Sequence, residues 1–488
     1  MTVGAKIRSG ALWMFMGKSG SQILNFAFGV VLARLLAPEV FGTLLTIQVF
    51  TGVASFIAGG GMGQALVRAK DTTRADYNIL FTLQLIIGCI IYAVFFLTAP
   101  LIAAAYNTPI YADMIRVMAL SFIFRPFANV PASILQREMR FKGMTVVGLA
   151  SLIVSSSATI AFAYHGFGVW ALIFGGLISP FVTIPSYSML AKWRPGFSLK
   201  LHRAREIARY GMWVSVTDVL VYLRGRVSAF IMSFTLGPAA VGLYNKGESL
   251  AGMPNGFITA SVYQVLLRAL AVEQDDLDKC RYLFFRSIAL VAVYATPFYV
   301  GLLWIAEPLV RGLYGEKWVA AAAPLFILVF AWPFWLVDML SGAVLAAFAW
   351  LHRETVVQVF TLIVTCLLIL VGLEYGIKGV AWALVISAGF AAVYMYHLAT
   401  TCLRAHKTDL LHALIPAALL NTILAAGLSI VDATLPMKLH GHDLIYVLVM
   451  GLAGGIIYLL SFLFLPIGAL QTERNRWKIK LISILKRG

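Results

Sequence analysis

Charge is scarce in this chain. Of its 488 residues, 12% are Asp, Glu, Lys or Arg and 61% are hydrophobic, with a mean hydropathy of +0.88. A soluble core needs no such apolar excess. A bundle of membrane-spanning helices does, because each crossing takes about 20 apolar residues. Cysteine is also rare. Cys89, Cys280, Cys366 and Cys402 are scattered without a CxxC pair, which excludes a disulfide framework and a cysteine zinc site. They read as incidental small apolar residues. Acidic residues number 21 against 38 Lys and Arg, a net charge of +17. In so apolar a chain that excess fits positive cytoplasmic loops better than nucleic acid, which is not expected as a partner. HExxH, GxSxG, Walker A and suitably flanked GxGxxG motifs are missing. His165, His440 and His442 fall in loops and read as solvated. No enzyme, cofactor or metal is therefore expected. The longest polar stretch is 191–209, so no soluble domain fits between the apolar runs.

Those runs predict an all-α polytopic membrane protein with fourteen spans. They lie at roughly 11–35, 39–65, 77–99, 113–136, 144–164, 168–190, 210–235, 239–267, 283–305, 321–348, 355–373, 378–401, 412–432 and 444–465. The first run follows Lys6 and Arg8 as in a signal peptide. However, it continues to about Leu36, contains Lys18 and lacks a small-residue cleavage site, so it reads as an uncleaved span. With the N-terminus inside, inner segments hold 27 of the 38 Lys and Arg, and outer loops only Arg311, Lys317, Lys378 and Lys438. This asymmetry predicts that both termini are cytoplasmic.

An internal echo divides the chain. Leu36-Ala37-Pro38-Glu39-Val40-Phe41-Gly42 reappears 200 residues later as Leu236-Gly237-Pro238-Ala239-Ala240-Val241-Gly242, with Trp13 on Trp213 and Arg68 on Arg268. Gly168-Val169-Trp170-Ala171-Leu172 resembles Gly379-Val380-Ala381-Trp382-Ala383-Leu384, and Pro100-Leu101 with Tyr106 resembles Pro308-Leu309 with Tyr314. Span 1 thus pairs with span 7, and span 2 with span 8. Six spans per half keep both halves in one orientation, so their pseudo-two-fold lies along the membrane normal. The expected organisation is an N-lobe at 1–190, a basic cytoplasmic linker at 191–209 and a C-lobe at 210–405. Two extra spans follow at 406–466, then a basic cytoplasmic tail at 467–488. The linker, with Trp193 and Phe197 among its cations, reads as lying on anionic lipid. Trp477, Leu481 and Ile484 give the tail helical spacing, so it reads as a short interfacial helix or else a disordered basic tail.

A family resemblance rests on GALWMFMGKSGSQILNFAFGVVLARLLAPEVFGTLLT near the start, REMRFK at 137–142 and YHGFGVWALIFGGL at 164–177. LGPAAVGLYNKGESLAGMP at 236–254 and YGIKGVAWALVISAG at 375–389 add to it. In their order, and with the span number, the chain resembles the polysaccharide transporter, or oligosaccharide flippase, branch of the multidrug/oligosaccharidyl-lipid/polysaccharide exporter superfamily. The likeness is to Wzx-like and exopolysaccharide-export members and reaches to about residue 400. The resemblance implies a bacterial inner-membrane secondary transporter working by alternating access. Its cargo would be an undecaprenyl-pyrophosphate-linked oligosaccharide for exopolysaccharide, capsule or O-antigen. Partners would be that lipid-linked oligosaccharide, membrane lipids and, in some systems, a polysaccharide polymerase and chain-length machinery. Spans 1, 2, 7 and 8 would line the cleft.

Ionisable residues inside spans need a reason. Arg34 and Arg116 sit near outer ends and can reach headgroups. Arg125 precedes Pro126, whose kink leaves backbone carbonyls to satisfy. A pyrophosphate needs cations, and Lys18, Arg224, Arg226 and Lys246 are the candidates for the anion site. Lys18, Asp218, Glu248 and Asp338 are candidates for a gate or ion coupling. Lys18 and Asp218 occupy equivalent positions at the offset of 200, which suggests a cytoplasmic gate; Asp218 pairing with Arg224 or Lys246 is the alternative. Residues two apart leave a helix about 200° apart. Arg224 and Arg226 therefore share a cleft only if Gly225 breaks the helix, and Lys246 and Glu248 face apart. Two alternative functions stay open. A drug or metabolite exporter of the same superfamily would favour an acidic cleft. A membrane-embedded polymerase or ligase would carry a large outer loop.

Overall fold

Backbone N–H and C=O groups find no water in lipid, so a chain this apolar satisfies them within helices. The computed structural model describes residues 3–59, 61–68, 72–198, 200–436 and 441–485. Lys438 and His440 lie outside them, as does the end of the basic tail from residue 486. Among the described residues there is no strand. The helices are α1 (Val3–Leu35), α2 (Pro38–Gly59), α3 (Met62–Arg68), α4 (Arg74–Ala105), α5 (Ile110–Arg137), α6 (Phe141–Tyr164), α7 (Val169–Ala191), α8 (Leu201–Thr235) and α9 (Gly237–Val272). They continue with α10 (Leu277–Tyr314), a 3-10 turn (Glu316–Ala321), α11 (Ala322–Val329), α12 (Trp332–Ala347), α13 (Leu351–Gly372), α14 (Gly376–Leu403), α15 (Asp409–Thr434), α16 (Asp443–Phe464) and α17 (Gln471–Leu485).

Among the described residues, nine stretches are long and apolar enough to cross a membrane, or eleven with two bent pairs counted as one span each. α1 and α8 are not among them. Lys18, Gln22, Asn25 and Arg34 dilute α1; Arg205, Arg209, Asp218, Arg224 and Arg226 load α8 with charge. The bends have local causes. α9 turns by 41° between Gly256 and Ile258, just after Pro254 removes a backbone donor. The expected tenth span is broken by 55° between α11 and α12, where Pro333 occupies the first turn of α12.

Two compact units result, Met1–Gly242 and Leu243–Gly488. The join between six-span halves at 191–209 is a division of sequence. The compact division falls later because α8 packs along α2 and α3. Small residues allow close helix contacts in each unit. Within the first unit, a Cβ on Gly88 of α4 would meet the Phe122 carbonyl of α5 at 2.5 Å. Within the second, Gly372 of α13 lies against Gly379 of α14. The internal echo has a physical counterpart in the first unit. A Cβ on Gly42 would strike the Pro238 carbonyl, and one on Gly242 would strike the Pro38 carbonyl. The two equivalent Pro-x-x-x-Gly turns thus cross backbone to backbone, each requiring the other's glycine.

The linker differs from its sequence reading. Trp193 does not lie on lipid. It is 3% exposed and packs edge-on against Phe81, 5.6 Å between ring centroids, in a core with Ile79, Leu80 and Ala204. Burying an indole outweighs leaving it at the interface once α4 offers a pocket. Phe197 stays exposed, and residues from Leu201 onward are already α8. The tail does form a helix. Arg286 of α10 pairs with Glu473 at 3.3 Å and donates to the Ala469 carbonyl at 2.6 Å, while the Trp477 indole donates to the Tyr294 hydroxyl at 3.0 Å.

Candidate functional site

In the first unit, α8 is unbroken through Gly225. Arg224 and Arg226 therefore leave it on different faces: Arg224 is exposed, and Arg226 is half-buried. Arg226 donates to the Tyr222 hydroxyl, which itself donates to the Gln48 carbonyl of α2 at 2.6 Å. The Ser215 hydroxyl donates to the Phe56 carbonyl at 3.0 Å. These bonds stitch α8 to α2. Lys18 is exposed on α1 and Asp218 half-buried on α8, and among the described residues no ion pair joins them. Arg125 is structural: it donates to the carbonyl and hydroxyl of Ser55, each at 2.5 Å, and so ties α5 beside Pro126 to α2. Arg116 lies over the Phe96 ring, 4.6 Å from its centroid, and pairs with Asp113 at 3.6 Å.

In the second unit, Lys246 of α9 points between two aromatic faces. Its Nζ is 5.1 Å from the centroid of Tyr314 and 5.7 Å from that of Trp318. Sequence reading missed both partners, although the echo had marked Tyr314. Gly247 makes this approach possible, since a Cβ there would meet the Ala321 carbonyl at 2.7 Å. Cation–π contact steadies an ammonium without neutralising it. Lys246, Glu248 and Asp338 also engage other neighbours, as Arg224 does in the first unit. Arg311 braces the segments that carry the aromatic pair. It contacts Glu307 at 2.6 Å, Glu316 at 2.9 Å and Asp443 at 3.5 Å. One guanidinium thus joins α10, the 3-10 turn bearing Trp318, and α16.

The second unit also holds an apolar groove of about 510 Å³ between α10, α15, α16 and α17. Phe298, Leu424, Met450 and Phe462 form its walls. Gly301, Gly451 and Gly455 leave it open, since a Cβ on any of them would meet nothing within 4 Å. Trp477 of the tail helix and Tyr294 contribute to one end. Hydropathy alone could not separate a groove wall from a lipid-facing stripe. Among the described residues, no group of His, Cys, Asp and Glu is arranged to hold a metal.

The chain is 24% identical over 320 residues to the lipopolysaccharide biosynthesis protein WzxC of Escherichia coli, and 25% identical over 321 residues to the succinoglycan biosynthesis transport protein ExoT of Rhizobium meliloti. The matches cover 65% and 66% of this chain and 65% of each relative, slightly less than two thirds of their length. Among solved structures, the fold is similar to that of the lipid II flippase MurJ in an inward closed conformation. The TM-score is 0.75 at 16% identity, covering 92% of this chain and 97% of that one. An inward-facing multidrug resistance MATE transporter of the MOP superfamily matches with TM-score 0.62 at 18% identity, over 79% of this chain and 94% of that one. The helical fold is thus similar to that of these two transporters. A family profile described as "Polysaccharide biosynthesis protein" matches residues 31–323, and the chain belongs to that family.

Proposed function

We propose that this protein is a secondary transporter that flips undecaprenyl-pyrophosphate-linked oligosaccharide across the bacterial inner membrane by alternating access, for exopolysaccharide, capsule or O-antigen synthesis. The observation that carries the reading is membership of a polysaccharide-biosynthesis family by a chain whose apolar helices carry cations. A pyrophosphate crossing lipid must exchange its water for fixed positive charge, since an unpaired ion in low dielectric is very costly. Lys18, Lys246 and one of Arg224 and Arg226, which the unbroken α8 sets on different faces, supply that charge, the arginine as a fork and the lysines as point charges. Asp218, Glu248 and Asp338 bias the two access states or couple an ion. The apolar groove of the second unit suits the polyprenyl tail, which has no polar group to satisfy. Both termini are cytoplasmic. A polysaccharide polymerase and its chain-length machinery would consume the flipped product.

The test is depletion of the protein in its own host. Lipid-linked oligosaccharide should accumulate on the cytoplasmic leaflet, where a membrane-impermeant glycosidase cannot reach it in intact spheroplasts. Unchanged lipid-linked oligosaccharide, with a soluble compound retained in the cytoplasm instead, overturns the flippase reading in favour of a drug or metabolite exporter. That second reading draws on the MATE likeness of the fold. Against it, cations within the expected spans outnumber the acids Asp218, Glu248 and Asp338.

A further inference from the structure

Two cavities open at the same end of the second unit, and Lys378, at the start of α14, lines both. The first, about 620 Å³, has a charged rim of Glu307, Arg311, Lys378 and Asp443. Its wall runs down α10 and α11 through Leu303, Trp304, Phe326 and Ile327. From Arg311 to Leu303 the wall descends about 12 Å at 1.5 Å per residue. The second cavity, about 470 Å³, is walled by Leu368, Tyr375, Trp382 and Ile386. In the orientation set by the basic loops this end is the outer one, so both walls fall in the outer leaflet. Trp304 and Trp382 suit the depth at which indoles settle in membranes.

The rim charges are unevenly divided. The two rim carboxylates, Glu307 and Asp443, share the single guanidinium of Arg311 with Glu316, which lies outside the cavity lining. Lys378 is exposed and, among the described residues, makes no ion pair. The rim therefore has an acidic excess around Arg311 and one uncompensated ammonium at Lys378. A ligand matching it carries a positive and a negative group side by side, above two apolar chains.

We propose that this pair of cavities is a binding site for a phospholipid with a primary-amine headgroup, phosphatidylethanolamine in chemical class. Its phosphate contacts Lys378, its ammonium donates to Glu307 and Asp443, and its two acyl chains follow the two walls. A carboxylate with one bond to Arg311 keeps free lone pairs for an ammonium N–H. A trimethylammonium headgroup has no N–H to donate, so phosphatidylcholine should bind less well. A purely anionic headgroup would meet the carboxylates and be disfavoured. The site is separate from the cationic residues assigned to cargo, and its test does not depend on transport.

The experiment places the purified full-length protein in nanodiscs with one acyl composition throughout. Phosphatidylglycerol is mixed with equal phosphatidylethanolamine or phosphatidylcholine, and retained lipid is read by native mass spectrometry. Retention of phosphatidylethanolamine at least fivefold over phosphatidylcholine and phosphatidylglycerol is expected. Lys378→Gln should lower retention of both zwitterionic lipids, and Lys378→Gln with Glu307→Gln should erase the preference. Equal retention of the three lipids by the unaltered protein overturns the proposal. So does a stronger hold on phosphatidylglycerol, or a preference that survives in the double variant. Lys378→Gln removes no ion pair among the described residues, so it keeps the test open if the double variant does not fold.

Discussion

Lys246 shows how one charge can be kept ready inside an apolar helix. Tyr314 and Trp318 steady its ammonium by their ring faces without neutralising it, so its charge remains to attract an anion. Losing a hydrogen bond to a charged group costs about 1.5–3 kcal/mol. Lys246→Gln should thus cut flipping roughly 10- to 100-fold with normal amounts of inserted protein, measured by lipid-linked oligosaccharide translocation in reconstituted vesicles. Unchanged translocation would remove Lys246 from the cargo site. Lys18 and Asp218 are tested by charge exchange. Lys18→Asp and Asp218→Lys should each impair export, and the combined variant should restore it. If the combined variant is as inactive as the singles at normal protein levels, the gate is wrong. Arg125 behaves differently. Its bonds go to Ser55, so Arg125→Gln should lower protein abundance and melting temperature before any effect on rate per molecule.

At the scale of elements, the groove and the tail helix make a joint prediction. Gly451 and Gly455 of α16 have open space where a side chain would project. Gly451→Leu with Gly455→Leu should therefore fill the groove without displacing neighbours. Inserted protein should be at least as stable, since added apolar contact is favourable, yet export should fall tenfold or more. Normal export by a stable double variant would show that no lipid chain needs the groove. The crossing of α2 and α9 makes the opposite prediction. A methyl on Gly42 meets the Pro238 carbonyl backbone, so Gly42→Ala should sharply reduce folded protein, as seen by protease resistance in membranes. Backbone cannot yield as a flexible side chain can.

For the whole molecule, the testable quantity is topology. In a variant lacking Cys89, Cys280, Cys366 and Cys402, a cysteine at Lys200 should resist a membrane-impermeant thiol reagent in intact cells. One at Glu374 should react. Labelling at Lys200 from outside would reverse the orientation drawn from the basic residues, and with it the direction of transport. Both positions are exposed, so silence at Lys200 would report sidedness rather than burial.

The sequence by itself determined that the chain is a helical membrane protein built on a repeat. Only helices and closed barrels satisfy the backbone in lipid, and apolar runs of about 20 residues fit helices. The Pro38/Gly42 and Pro238/Gly242 pairs were legible because backbone crossings tolerate only glycine at the contact. Arg224, Arg226, Lys18 and Lys246 were legible as costly charges in apolar runs. Their neighbours were not. Only the folded chain decided that Trp193 leaves the lipid surface for the core beside Phe81. Only the folded chain set Tyr314 and Trp318 around Lys246, and brought Asp443 from a distant stretch onto Arg311 beside its sequence neighbours Glu307 and Glu316. The reason is physical. Hydropathy depends on each residue's own side chain, whereas a groove, an aromatic cage or an ion cluster depends on which helices pack together.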